Sequence, residues 1–157
     1  MRTINGTFNG ITRGFTLIEL LIVLVLALIL SAAAFPAYTE FAVRARRVEG
    51  QAALLLLMQQ QERYHSQRGS YLAFAADATD DEAKAFRWWS GSTASRSAYE
   101  VEGKACEGES IRDCVQLVAK PGTARVDPAF RDEACGNLIL TSNGLRLATG
   151  ASISCWR

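Results

Sequence analysis

From Phe15 to Phe35 the chain runs 21 residues with only Thr16, Glu19 and Ser31 polar, and Leu20 to Leu30 is unbroken hydrocarbon. At about 1.5 Å per residue such a run makes a helix long enough to cross a bilayer, which needs roughly 20 apolar residues. The acid Glu19 sits within it. A carboxylate in a lipid-spanning helix costs roughly 2.5–3.5 kcal/mol on insertion scales, so Glu19 requires a function and a partner.

Residues 1–14 precede this run as a polar leader carrying Arg2 and Arg13 and no acid. That bias keeps the amino end cytoplasmic and sends the rest of the chain outward. A secretory signal peptide is the competing reading, with a small-residue site in Ser31-Ala32-Ala33-Ala34. Against it, an acid early in the apolar centre is difficult to explain in a disposable signal, and the helical pattern continues past the supposed cut.

The octapeptide Arg13-Gly14-Phe15-Thr16-Leu17-Ile18-Glu19-Leu20 resembles the class III signal of type IV pilins and their pseudopilin relatives. The resemblance implies that a prepilin peptidase cuts after Gly14 and methylates the new amino terminus, Phe15. It also supplies a partner for Glu19: the terminal amine of a neighbouring subunit, met in an apolar bundle where an unpaired charge is costly. Glu19 is then an assembly contact, and the chain is a substrate rather than a catalyst.

Pro36 removes a helix hydrogen bond and is expected to interrupt or kink the helix there; by resemblance it too belongs to the assembly segment, residues 15–38. Beyond it Tyr38, Phe41, Ala45, Val48, Ala52 and Leu55 recur at spacings of three and four. This predicts an amphipathic helix over residues 39–69, half buried along that row, with a stop at Gly69-Ser70. Arg44, Arg46 and Arg47 read either as a solvated face or as partners for acids such as Glu40 and Glu49 or for neighbouring subunits. Gly50 within the helix costs about 1 kcal/mol relative to Ala and suggests close packing.

Residues 70–157 form the exposed head. Tyr71 to Gly91 shows no clean period and reads as a solvated connection around Asp77 to Glu82, interrupted by Arg87-Trp88-Trp89. Paired indoles serve either as core packing or as a ligand surface for bases or a protein. Strands are expected at Tyr99 to Gly103, Val115 to Ala119, Leu138 to Thr141 and Leu145 to Ala148, with a hairpin turn at Ser142-Asn143-Gly144. One face of an antiparallel sheet would pack on the amphipathic helix, an α+β fold.

Cys106, Cys114, Cys135 and Cys155 all lie in the translocated part, which favours disulfides in an oxidising periplasm. Of three pairings, Cys106 with Cys114 and Cys135 with Cys155 close the most compact loops. With one histidine, His65, and no C-x-x-C spacing, neither a metal site nor a Ser-His-Asp arrangement is expected; no cofactor is implied and no enzyme.

The carboxyl-terminal cysteine loop narrows the resemblance to minor pilins of the type IVa system. It implies a single-pass inner-membrane protein that moves into an extracellular pilus. Its partners would be other pilins through the helix, the prepilin peptidase and the assembly machinery, in support of pilus assembly, twitching motility or adhesion. Two alternatives share the amino-terminal signal: a DNA-binding minor pilin that uses Arg87, Trp88 and Trp89, and a type II secretion pseudopilin. Charge argues against a general nucleic-acid binder, since from Gln67 onward eleven Lys and Arg face twelve Asp and Glu.

Overall fold

The computed structural model describes residues 15–156, the side chains of residues 33–37 excepted, so the leader with its Gly14 lies outside the described residues. Helix α1, Leu17–Arg68, begins at Thr16, whose Oγ1 accepts the Glu19 backbone N–H at 3.3 Å. Thr16 and Glu19 thus stand at the first and fourth positions of a capping-box pattern, with the acid in the positive first turn. This local role of Glu19 accompanies any role in assembly. The helix is assigned without a break through Pro36, where an interruption was expected. It ends where Gly69 takes a φ of 70° and its N–H returns to the His65 carbonyl at 2.8 Å, a left-handed cap that glycine adopts without steric cost.

The chain divides into a unit ending at Glu40 and a unit Phe41–Arg157. In the first, the side chains from Phe15 to Ala32 are exposed. Among the described residues no helix is long and apolar enough to cross a membrane.

In the second unit, strands β1 (Tyr99–Ala105), β2 (Val115–Pro121), β3 (Leu138–Thr141) and β4 (Arg146–Ala148) form an antiparallel meander in that order. Registers are Val101 opposite Ala119, Val118 opposite Ile139 and Ile139 opposite Leu147. The β3–β4 turn closes on Gly144 at φ 86°, and β4 starts at Arg146, one residue later than its sequence suggests. Tyr99, Val101, Leu117, Leu138 and Leu140 face Leu54 and Leu57 of α1 in one core, completed by Tyr71, Phe74 and Phe86.

The buried stripe of α1 differs from the expected one. Gly50, Ala53, Leu54, Leu57 and Gln61 are buried, whereas Phe41, Val48 and Leu55 are 70, 56 and 43% exposed. The buried row tolerates Gln61 because its side chain pairs with Leu72 in both directions: Nε2 donates to the carbonyl at 2.7 Å and Oε1 accepts the N–H at 3.0 Å. Every polar group is satisfied there, so a glutamine occupies a core position at little cost.

Gly50 lets α1 approach β1. A Cβ at this position would stand 2.8 Å from Cδ2 of Tyr99, a ring held at its far end by Asp132. Gly50→Val should therefore lower unfolding free energy by about 1–3 kcal/mol through overpacking, despite valine's better helix propensity. Chemical denaturation followed by tryptophan fluorescence measures it.

Arg46 and Arg47 bind acids of their own head rather than Glu40 or Glu49. Arg46 Nη1 lies 2.9 Å from Asp127, and Arg47 grips Asp132 with Nε and Nη2 at 2.8 and 2.7 Å. The Tyr99 hydroxyl donates to the same carboxylate at 2.6 Å, and the Cys135 N–H at 3.2 Å. Burial pushes the Asp132 pKa up, but the bonds from Arg47 and Tyr99 outweigh it and hold the carboxyl below its usual range. Asp132 raises Arg47 in return, and burial followed by the Asp132 bond raises Tyr99 far beyond an ordinary phenol. Two disulfides, Cys106–Cys114 and Cys135–Cys155, close the remaining loops, and Gln51 donates to the Cys155 carbonyl, binding the tail to the helix.

Candidate functional site

The segment between α1 and β1 is more ordered in its contacts than a solvated loop. Phe74 exchanges hydrogen bonds with Gly103 at 3.0 and 2.9 Å, the Trp88 carbonyl accepts from Val101 at 2.7 Å, and Ser90 donates to Tyr99 at 3.1 Å. These contacts cover the outer edge of β1, which would otherwise present unpaired donors and acceptors. Gly103 allows this approach, since a Cβ there would stand 2.5 Å from the Phe74 ring. The expected acidic cluster has separate duties: Asp80 caps the short helix α2, Asp81–Lys84, through the Ala83 N–H, Asp77 pairs with Arg125 at 3.5 Å, and Glu82 pairs with Arg68 at 2.7 Å.

Phe86 anchors the next turn by stacking on Phe74 at 5.1 Å and meeting Tyr64 edge-on at 6.1 Å. With Phe86 buried and residues 88–90 hydrogen-bonded along β1, the three side chains Arg87, Trp88 and Trp89 are held beside one another. Arg87 is exposed and makes no ion pair among the described residues; both tryptophans are half-buried. Their rings meet edge to face, with centroids 5.1 Å apart and planes at 78°. Beside them is a recess of about 280 Å³ whose lining includes Ala75, Ala78, Lys84, Arg87 and both indoles, and no acid. Trp89 Nε1 is buried without a hydrogen-bond partner among the described residues. The tryptophan pair thus divides its surface between packing and a wall of this recess.

Several other cations are spent internally. Arg68, Lys84, Lys104, Lys120 and Arg125 pair with head acids, while Arg46 and Arg47 from α1 take two more. Acids outside these pairs include Glu107, Glu109 and Asp113, all inside the Cys106–Cys114 loop and its approach. The formal near-neutrality of the head therefore conceals local differences: Glu107, Glu109 and Asp113 lie in one loop, and the tryptophan recess is lined by Lys84 and Arg87 and no acid.

His65 stacks on Tyr71 at 4.3 Å and meets the Arg112 carbonyl at 3.1 Å, a structural position. Among the described residues no group of three or more His, Cys, Asp or Glu is placed to hold a metal ion. Phe15 and Glu19 are exposed at the start of the chain's described part.

A long amino-terminal helix, a four-stranded antiparallel sheet packed on its later half, and a disulfide-closed tail define a type IV pilin. The chain belongs to the family described as type IV minor pilin ComP, DNA uptake sequence receptor, whose model matches residues 36–139. A prokaryotic N-terminal methylation motif matches residues 11–35. The chain is also similar to a solved type IV pilin from Shewanella oneidensis, at 23% identity over 73% of this chain and 98% of that one, with a TM-score of 0.43. No curated protein gives a significant match. The chain is a type IV minor pilin, a structural subunit that assembles with other pilins.

Proposed function

We propose that this minor pilin is a DNA receptor carried on a type IV filament, held there by its amino-terminal helix and exposing the Arg87-Trp88-Trp89 surface. The match of residues 36–139 to a family of DNA uptake sequence receptors carries the reading. Its chemistry is consistent with a basic, aromatic recess: cations draw phosphates, and indoles offer faces to bases.

Reaching the filament involves the steps that the methylation motif implies: cleavage after Gly14, methylation of Phe15, and a single inner-membrane pass through the apolar run before extraction. Glu19 then meets a neighbouring subunit's amine, with Pro36 in the same assembly segment. The exposed apolar row Phe41, Val48 and Leu55 supports this reading, because an apolar helix face left uncovered by its own head suits packing against other subunits.

Fluorescence anisotropy of the full chain in detergent micelles with a labelled duplex tests the DNA reading. Binding should weaken as salt rises, log K falling by about 0.9 per phosphate neutralised for each unit of log salt, and Arg87→Ala should flatten that slope. Affinity that is absent, or indifferent to salt, would reject it.

A further inference from the structure

We propose that the recess beside the tandem tryptophans receives one unstacked base of the bound DNA, an inference that rests on the DNA-receptor reading above. Three observations converge on a planar heteroaromatic ring. The recess holds about 280 Å³ and is walled by the small side chains Ala75 and Ala78 together with Trp88 and Trp89. The two indole planes stand at 78°, a floor and a side wall for a flat ring. Arg87 in the same lining is exposed and makes no ion pair among the described residues, a cation left for a phosphate.

A base answers all three. Its face stacks on an indole, and its flanking phosphate meets Arg87. An aliphatic side chain would fill the space and leave the cation unused; a bare phosphate would use the cation and waste the aromatic walls. Arg87 in the same lining suits a phosphate that flanks the inserted nucleotide, Lys84 being paired with Asp81. The walls are set before binding, since the Trp88 carbonyl is bonded to Val101 and Trp89 is bridged to Glu100. Unstacking is least costly at a bulge, a mismatch or a single strand, so the recess favours DNA in which a base is already free.

The test uses the full chain in detergent micelles and three probes of one sequence: a perfect duplex, the duplex with one extrahelical 2-aminopurine, and the single strand. The bulged duplex should bind about tenfold more tightly than the perfect one, the contribution expected of one stacked base, and 2-aminopurine emission should fall on binding. Trp88→Ala should abolish both the preference and the quenching. Trp89→Phe, which shortens the second aromatic wall, should reduce the preference several-fold without changing affinity for the perfect duplex. If Trp88→Ala fails to fold by circular dichroism, the quenching and the Trp89→Phe result decide. Equal affinity for perfect and bulged duplexes with unchanged emission overturns the base recess and leaves DNA binding intact. Salt-insensitive or absent binding to all three probes overturns both.

Discussion

Asp132→Ala should destabilise the head by about 3–5 kcal/mol, the cost of removing one partner from a buried ion pair and leaving the other behind. The Asp132 side chain is fully buried, and that of Arg47 is only 12% exposed. Alanine would strand a guanidinium that holds both carboxylate oxygens and a phenol that has no alternative acceptor, and would release the Cys135 N–H beside the tail disulfide. Three parts of the head meet at this carboxylate: α1 through Arg47, β1 through Tyr99 and the tail through Cys135. Denaturant unfolding of the full chain in micelles measures the loss.

The same carboxylate sets an acid limit. Its folded pKa lies below the ordinary value, so its contribution is complete above the unfolded pKa of about 3.9 and is lost as pH falls through the folded one. Stability of the native chain should hold near neutrality and fall only in strong acid. Asp132→Asn should lose stability at neutral pH and show a shallower acid limb. Equal slopes in the two proteins would mean that the pair contributes no net stability.

Replacing Cys135 and Cys155 together by serine should cost about 3 kcal/mol, the chain-entropy value for a loop of 20 residues. Further loss follows because Gln51 donates to the Cys155 carbonyl, a contact between α1 and the tail that the bridge holds in place. The matching change at Cys106 and Cys114, a separation of 8, should cost less, about 2.5 kcal/mol by the same relation. Unfolding curves of the two double variants compare them directly.

Much of the architecture was legible where local chemistry decides the outcome. Gly69 ends α1 and Gly144 turns the β3–β4 hairpin because both positions require positive φ. The strands follow alternation, and the cysteines bond within the two compact loops. The buried stripe of α1 was not legible, for a physical reason: periodicity ranks Phe41, Val48 and Leu55 above a row containing Gly50 and Gln61. Spacing alone does not say which row meets the chain's own sheet. Arg46 and Arg47 could not be paired from sequence either, since Asp127 and Asp132 lie some 80 residues away and only the fold joins them.

The site was half legible. Arg87-Trp88-Trp89 stands out in the sequence, but the recess depends on Phe74 and Ser90 bonding along β1, and those isolated contacts leave no strand period. Charge counting was misleading for a related reason. It weighs every acid equally, although Asp127, Asp132, Glu100 and Glu102 are already engaged and the unpaired Glu107, Glu109 and Asp113 lie between Cys106 and Cys114.

Retention of a labelled duplex by sheared filaments tests most directly whether this chain is a pilus subunit that carries DNA. Filaments containing the native chain should retain the duplex at low salt and release it as salt rises. Filaments from cells making the Glu19→Val chain should have lost both the subunit and the retention. Equal retention by filaments with and without this subunit would contradict the receptor reading, and undiminished incorporation of the Glu19→Val chain would contradict the assembly contact on which display depends.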